Sequence, residues 1–204
     1  DWQQHLTSND TYGLSETFWC NHIFFNDMVR KRTDRRPVIF HRWGGLGSHR
    51  YQIGFSGDAL INFQTLGFQP YFTATASNVG YGYWGHDLGG HAFTDESIVN
   101  DPELVLRWIQ FGVFTSIFRT HATNDARIER RIWKFDNFPT MLEAVRLGYS
   151  LFPYLYTMAR KAYDTGISVC RPLYYEYPES EEAYVYENEY FFGDDILVVP
   201  LTDA

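Results

Sequence analysis

One carboxylate, that of Asp58, lies in a turn-like stretch between two apolar segments. The stretch Y-Q-I-G-F-S-G-D-A-L-I-N-F-Q, residues 51–64, places two glycines and a serine close to this aspartate. Glycine and aspartate favour turns for backbone reasons, so Asp58 is also explained as the corner between a strand and a helix, or as the cap of that helix. At the carboxyl end of a barrel strand the same residue would be placed for catalysis, and it would need a partner carboxylate.

The segments around Asp58 alternate between helical and strand-like patterns. Apolar spacing, caps and prolines predict helices over residues 15–31, 59–77, 101–118 and 139–163, with Pro70 as a kink or break in the second. Apolar runs predict strands over residues 36–43 and 169–178, a strand leading into a glycine-rich turn over 78–91, and a hairpin over 189–201 that turns at Gly193 and Asp194. About three or four strands precede residue 180, whereas an eight-stranded barrel takes about 250 residues. The pattern therefore predicts an α/β chain that, if it is a barrel, is the second half of one.

Composition limits the partners of this 204-residue chain. Its net charge of −8 and its pI near 5.3 argue against nucleic acid and favour neutral substrates over strongly anionic ones. Aromatic residues make up 19% of the chain; their flat faces suit sugar rings, although most aromatic side chains fill cores. No apolar run reaches the roughly 20 residues of a membrane span, so no membrane partner is predicted. Two distant cysteines, Cys20 and Cys170, predict neither a zinc site nor a disulfide framework.

Two further patterns have spacings that do not match known ligand motifs. The glycines of G-G-L-G-S-H-R, residues 44–50, fit neither the dinucleotide-binding nor the P-loop spacing. His86, Asp87 and His91 carry metal-ligating groups, but the two histidines lie five residues apart in a glycine-rich turn and not on one face of a helix. We therefore predict no metal and no cofactor.

Six motifs, in order along nearly the whole chain, resemble glycoside hydrolase family 31, the family of α-glucosidases and α-xylosidases. R-Y-Q-I-G-F-S-G-D, residues 50–58, is similar to the family's acid/base motif R-Y-x-x-x-W-S-G-D, and G-H-D-L-G-G to its G-x-D-I-G-G. The other four are L-R-W-I-Q-F-G-V-F-T-S-I-F-R-T-H, L-G-Y-S-L-F-P-Y-L-Y-T-M-A, R-P-L-Y-Y-E-Y-P and F-F-G-D-D-I-L-V-V-P. The resemblance implies the C-terminal half of a catalytic (β/α)8 TIM barrel over residues 1–180 and the start of a C-terminal β-sandwich domain over residues 181–204.

The resemblance also implies a pair of catalytic carboxylates. The opening D-W-Q-Q is similar to the family's nucleophile motif W-x-D-M-N-E, which makes Asp1 the nucleophile and Asp58 the general acid/base. The Trp-Gln-Gln that follows Asp1 departs from Met-Asn-Glu and implies different polar contacts beside it. Retaining enzymes hold the two carboxylates about 5 to 5.5 Å apart, so we expect those of Asp1 and Asp58 within about 5 to 7 Å.

A sugar-binding subsite follows from the same resemblance. The residues implied to line it, which we expect in one pocket with Asp58, are Arg42, Asp87, Arg119 and His121. Their types suit sugar hydroxyls, since carboxylates accept hydrogen bonds and a guanidinium donates them in a fixed fork. Three of them also have a structural explanation: an ion pair for Arg42, a turn for Asp87 and a core or supporting role for His121.

The resemblance indicates the type of reaction more clearly than it indicates the substrate. Phe55 stands where the family usually has Trp, which changes the ring presented to the sugar, and Trp84 is a further candidate to face the site. The resemblance implies a retaining exo-α-glycosidase, first of all an α-glucosidase, with α-xylosides or α-galactosides as alternative substrates. A non-catalytic carbohydrate-binding or structural segment is the alternative from another class. The expected partners are an oligosaccharide or α-glycoside and the upstream half-barrel of the same polypeptide, and a periplasmic or secreted location is preferred to a cytoplasmic one.

Overall fold

The computed structural model describes residues 11–42 and 45–203. Its helices are α1 (Glu16–Lys31), α2 (Phe63–Thr75), α3 (Pro102–Val113), α4 (Phe138–Ser150), α5 (Phe152–Thr165) and α6 (Glu182–Val185). Its strands are β1 (Ile39–His41), β2 (Gln52–Phe55), β3 (Tyr83–Gly85), β4 (Cys170–Pro172), β5 (Tyr190–Phe192) and β6 (Ile196–Val198). Within the described ranges, none of these helices has both the length and the apolar character needed to cross a membrane.

The first three strands form a parallel sheet in the order β1-β2-β3. Ile53 in the middle strand pairs with Phe40 on one side and with Tyr83 on the other. Helix α2 lies between β2 and β3 in the chain, as the crossover of a parallel pair requires. The predicted α/β class is confirmed, and the carboxyl ends of all three strands lie along one edge of the sheet.

The last three strands form a separate antiparallel sheet in the order β4-β5-β6. The predicted hairpin over residues 189–201 is present as β5 and β6, joined by a turn that begins at Gly193. The strand predicted over residues 169–178 is shorter, because a 3-10 turn, Leu173–Tyr175, follows Pro172 directly. β4 pairs antiparallel with β5 and is not a strand of the parallel sheet. The domain division at residue 180 stays a prediction.

Three of the predicted helices differ from the structure. The helix expected over residues 101–118 begins as predicted, with Asp101 capping α3, but ends at Val113; the Thr115 hydroxyl then donates to the carbonyl oxygens of Gly112 (2.8 Å) and Ile117 (3.0 Å). The helix expected over residues 139–163 is two helices, because Pro153 has no N–H to continue the bonding of α4 into α5. The helix expected over residues 59–77 is shorter, Phe63–Thr75, and it continues through Pro70 without the predicted break.

One core joins the antiparallel sheet to helices α2 and α3. Leu66 of α2, Trp108 of α3 and Tyr190 of β5 are each fully buried in a single cluster. The carbonyl of Phe114, which caps the end of α3, accepts a hydrogen bond from the Tyr190 hydroxyl (2.9 Å) and lies 3.7 Å from the Cys170 thiol that donates to it. The antiparallel sheet therefore supplies hydrogen-bond donors at the end of a helix that packs against α4 and α2.

Candidate active site

Charged side chains collect where the strands of the parallel sheet end. Arg42 follows β1 directly, Asp58 follows β2 after the F-S-G-D turn, and Asp87 follows β3. A parallel bridge between Leu88 and Thr120 extends the same edge. Arg119 and His121 flank Thr120. Motifs that follow one another along the chain therefore place their side chains next to one another along this edge of the sheet.

The first pair in this strand-end cluster joins Arg42 and Asp58. The guanidinium of Arg42 donates to Asp58 Oδ1. The Arg42 side chain is only 8% exposed, whereas that of Asp58 is 45% exposed. A buried cation therefore fixes one oxygen of a carboxylate that solvent or a ligand still reaches.

The second pair joins Asp87 and Arg119. The Arg119 guanidinium donates to Asp87 Oδ1, and the Asp87 side chain is 1% exposed. Burial raises the pKa of Asp87, and the positive charges of Arg119, His121 and His91 oppose that rise. Burial also lowers the pKa of His121. Asp87 Oδ2 and Arg119 Nε are buried with no hydrogen-bond partner among the described residues, so this pair retains hydrogen-bonding capacity.

His91, which the sequence motifs indicated only as a metal-ligating group and not as a member of the sugar site, lies between the two carboxylates. Its Nε2 is 3.4 Å from Asp58 Oδ1, and its Nδ1 is 3.2 Å from Asp87 Oδ2. Its backbone N–H donates to the Ala59 carbonyl at 2.7 Å, and its carbonyl accepts from Thr123 N–H at 3.0 Å. The only sequence signal was a titratable residue four positions after Asp87 in a tight glycine turn.

Two phenylalanine rings lie beneath the arginines. Phe40 and Phe55 stack with centroids 4.7 Å apart. The Arg119 guanidinium carbon lies 4.7 Å from the Phe40 centroid, and those of Arg42 and Arg119 lie 5.6 and 5.5 Å from the Phe55 centroid. Phe55 is 4% exposed, so in this structure its ring supports the two guanidinium groups.

The structure does not bring Trp84 to this cluster. Its indole packs with Phe72 and Tyr81, at 5.0 Å from each ring, in a small separate core. The space next to Gly54 is filled by the Trp84 and Tyr81 rings, which explains why that strand position carries no side chain. Asp1, the predicted nucleophile, lies outside the described residues, and so its distance from Asp58 stays a prediction.

A buried histidine connects the two turns that carry the carboxylates. His86 is fully buried, and its ring nitrogens lie 2.8 Å from the Ser56 hydroxyl and 2.7 Å from the Thr73 hydroxyl. Burial lowers the pKa of His86 to about 3, so its ring is neutral at physiological pH. Ser56 N–H also donates to the Gly85 carbonyl at 3.1 Å. These contacts fix the F-S-G-D turn to the end of β3.

Three side chains in the cluster have metal-ligating atoms close together. Ligand atoms of Asp87, His91 and His121 lie within 4.8 Å of one another. The Arg119 guanidinium already occupies one oxygen of Asp87, which places a fixed positive charge against this group. Nearby positive charge disfavours a bound cation electrostatically, and the set suits a neutral, hydroxyl-rich ligand better.

Comparison with known proteins places these elements in one family. Residues 2–158 match the model of the glycosyl hydrolases family 31 TIM-barrel domain, and residues 166–204 match that of the glycosyl hydrolase family 31 C-terminal domain. The chain is 34% identical to neutral alpha-glucosidase C of Mus musculus, over 85% of this chain and 19% of that protein. It is 31% identical to an alpha-xylosidase of Saccharolobus solfataricus, over 85% of this chain and 24% of that protein.

A solved structure gives the same result for the fold. A family 31 dextranase of Flavobacterium johnsoniae, complexed with glucose, superposes with a TM-score of 0.83 at 28% identity. The match covers 91% of this chain and 24% of the dextranase. The chain thus spans about a fifth to a quarter of the length of these relatives.

Proposed function

This chain belongs to glycosyl hydrolase family 31, and we propose that it supplies the general acid/base and the sugar subsite of a retaining exo-α-glycosidase. The observation that carries the proposal is the joint position of Asp58, Arg42, Asp87 and Arg119 on one edge of a parallel sheet. Such edges carry the catalytic groups of barrel enzymes.

The proposed reaction proceeds by double displacement. In the first step the Asp1 carboxylate attacks the anomeric carbon while Asp58 gives its proton to the departing glycosidic oxygen. In the second step the Asp58 carboxylate takes a proton from water, whose oxygen attacks the same carbon and releases Asp1. The partial exposure of Asp58 leaves room for the leaving group and the water, and Arg42 holds the carboxylate in place.

The proposed subsite recognises sugar hydroxyls. Asp87 and Arg119 are a buried pair with unused hydrogen-bonding atoms, and His121 lies 5.4 Å, ring to ring, from His91 beside them. A buried polar site of this kind strongly rejects a ligand that leaves its groups unpaired. We propose terminal α-linked glucose as the first candidate, because relatives named as α-glucosidases match this chain. An α-linked xylose is the second candidate, because a relative is named as an alpha-xylosidase.

The remaining partner is the upstream part of the same polypeptide. The described residues contribute three parallel strands, whereas a closed barrel has eight. We propose that an upstream half-barrel closes the sheet and positions Asp1. The experiments below therefore use the full-length protein.

The general-acid role of Asp58 is tested by changing how much the leaving group needs a proton. In an Asp58→Asn variant, kcat/KM for maltose should fall about 10²- to 10⁴-fold, the usual contribution of general acid catalysis. For α-glucosyl fluoride, whose fluoride leaves without a proton, kcat/KM should fall far less. Asp194→Asn, in the antiparallel sheet, is the matched control. Equal losses on both substrates would contradict the role, and a parallel series with α-xylosides would identify the sugar.

A further inference from the structure

His91 carries the inference, because its ring connects the two carboxylates and the proposed reaction gives it no role. Its Nε2 lies 3.4 Å from Asp58 Oδ1 and its Nδ1 lies 3.2 Å from Asp87 Oδ2. The side chain is 17% exposed. Two backbone hydrogen bonds, to Ala59 and from Thr123, fix the main chain of His91 between the two carboxylates.

The two sides of the ring are not equivalent. Nδ1 and Asp87 Oδ2 are close enough to interact, yet each is buried without an aligned hydrogen bond within the part of the chain that the structure describes. Asp58 also has a partner in Arg42, which holds Oδ1 from the other side. The neutral ring has one N–H, so it can donate to Asp58 or to Asp87 but not to both.

We propose that His91 is a positioning residue for the general acid/base, holding Asp58 through Nε2–H in a way that depends on what occupies Asp87. When a sugar hydroxyl donates to Asp87, that carboxylate no longer needs the imidazole proton. The ring then carries its proton on Nε2 and donates to Asp58 Oδ1, which fixes the carboxyl group so that its protonated oxygen faces the glycosidic oxygen. No bond is made or broken to carbon; the proton on the ring changes from one nitrogen to the other by exchange with water.

This inference rests on the proposed glycosidase function and assigns a residue outside the motif set that led to it. It also connects the subsite to the catalytic step. A sugar that satisfies Asp87 would orient Asp58, and one that lacks the matching hydroxyl would bind with Asp58 less well placed. His91 would thus act on catalysis through Asp58 without touching the reacting atoms.

Three substitutions at position 91 separate this role from its alternatives. His91→Phe keeps a ring but removes both nitrogens. His91→Gln places an amide donor near the position of Nε2, whereas His91→Asn places one near that of Nδ1. We expect kcat/KM for maltose to fall about 10- to 100-fold in His91→Phe, since misplacing a catalytic group by about 1 Å costs on that scale. The activity should recover in His91→Gln and remain low in His91→Asn.

A comparison of kcat/KM on two substrates distinguishes a positioning role of His91 from a purely structural one. With α-glucosyl fluoride, which needs no acid, kcat/KM of His91→Phe should stay within about threefold of wild type, and the loss on maltose should appear in kcat more than in KM. The melting temperature of each variant, measured alongside, identifies any loss that comes from folding.

Several results would overturn the inference. They are recovery by His91→Asn instead of His91→Gln, an equal loss on both substrates, wild-type activity in His91→Phe, or loss of wild-type activity on chelation with recovery on adding Zn²⁺. The last would make His91 a metal ligand with Asp87 and His121. These results are distinguishable from failure of the proposed function, because Asp58→Asn is judged by its own dependence on the leaving group.

Discussion

Two buried arginines hold carboxylates in this molecule, and they do so in different ways. Arg171 of β4 is 5% exposed; it donates to Glu176 (2.6 Å) and to the Gly193 carbonyl (2.9 Å), and lies 3.4 Å from Asp194. Among the described residues, no buried atom of Arg171 lacks a partner. Arg42 is about equally buried, and Asp58 and Glu176 are both nearly half exposed; the difference is that the His91 ring also approaches Asp58, at 3.4 Å.

The ion network of Arg171 and the strand-end cluster also differ in the pKa shifts of their aspartates. Hydrogen bonding from Lys161 lowers the pKa of Asp194, with the charges of Lys161 and Arg171 acting in the same direction. Burial raises the pKa of Asp87, although Arg119 pairs with it. The antiparallel sheet thus has a completed ion network that serves stability. The strand-end cluster keeps buried polar atoms unpaired, as a binding site for a polar ligand would.

We expect the largest effect when Arg42 and Arg171 are each replaced by methionine. Arg42→Met should lower kcat/KM for maltose at least about 100-fold, because Asp58 loses the group that holds it. Arg171→Met should leave kcat/KM within about threefold, but should lower the free energy of unfolding by about 2 kcal/mol, the scale of hydrogen bonds to charged groups. Kinetics and thermal unfolding of both full-length variants provide the measurement. Loss of activity in Arg171→Met at a temperature where it is folded would break the comparison.

The next effect is a difference of about 2 kcal/mol in stability between variants of two glycines with positive φ. Gly166, at the end of α5, has φ +77° and open space where a Cβ would lie, so Gly166→Ala should cost only the backbone strain, about 1 kcal/mol. Gly90, in the loop that carries His91, has φ +82°, and a Cβ there would lie 2.9 Å from Ile61 Cα. Gly90→Ala should cost about 3 kcal/mol, as strain and displacement of a neighbouring backbone combine.

Unfolding and activity measurements on Gly90→Ala and Gly166→Ala test whether close packing holds the loop that carries His91. We expect Gly90→Ala to lose activity in the folded state, since His91 is adjacent, and Gly166→Ala to keep it. Equal stabilities of the two variants would mean that the loop shifts freely to admit the methyl group.

The smallest effect is a difference in pH dependence between the two aspartates. A raised native pKa means that native Asp87 takes up its proton at a higher pH than the unfolded chain, whose value is near 3.8, so its contribution to stability increases as pH falls through that interval. A lowered native pKa means that Asp194 contributes stability above 3.8 that is lost as pH falls toward its native value. Relative to wild type, the melting temperature of Asp87→Asn should therefore change with pH above about 3.8 and that of Asp194→Asn below it, with opposite slopes. Slopes of the same sign would contradict the assignment of the two networks.

Much of the site could be predicted because its residues sit at strand ends. The resemblance to family 31 named Arg42, Asp58 and Asp87, and their places at the ends of predicted strands indicated that they lie side by side, since the carboxyl ends of a parallel sheet lie together. His91 could not be found that way, because its contacts depend on how two loops approach each other. Trp84 was a candidate from its neighbourhood in the sequence, but the pleat directs its side chain into a separate core.

The fold shows the same division between local and long-range information. The break before Pro153 follows from the missing N–H of proline, a local feature that the prediction of one continuous helix did not take into account. The antiparallel pairing of β4 with β5 depends on residues some twenty positions apart along the chain, and a short apolar run does not specify its partner.

The carbonyl of Phe114 has a consequence for how the molecule opens. It lies at the end of α3, and its hydrogen-bond donors, Tyr190 and Cys170, belong to the antiparallel sheet. If the antiparallel sheet separates from α3, the carbonyl loses both donors, and these hydrogen bonds no longer stabilise the last turn of the helix. Amide hydrogens in the final turn of α3 and in β5 should therefore exchange with solvent as one cooperative unit, slower than those of the exposed α1.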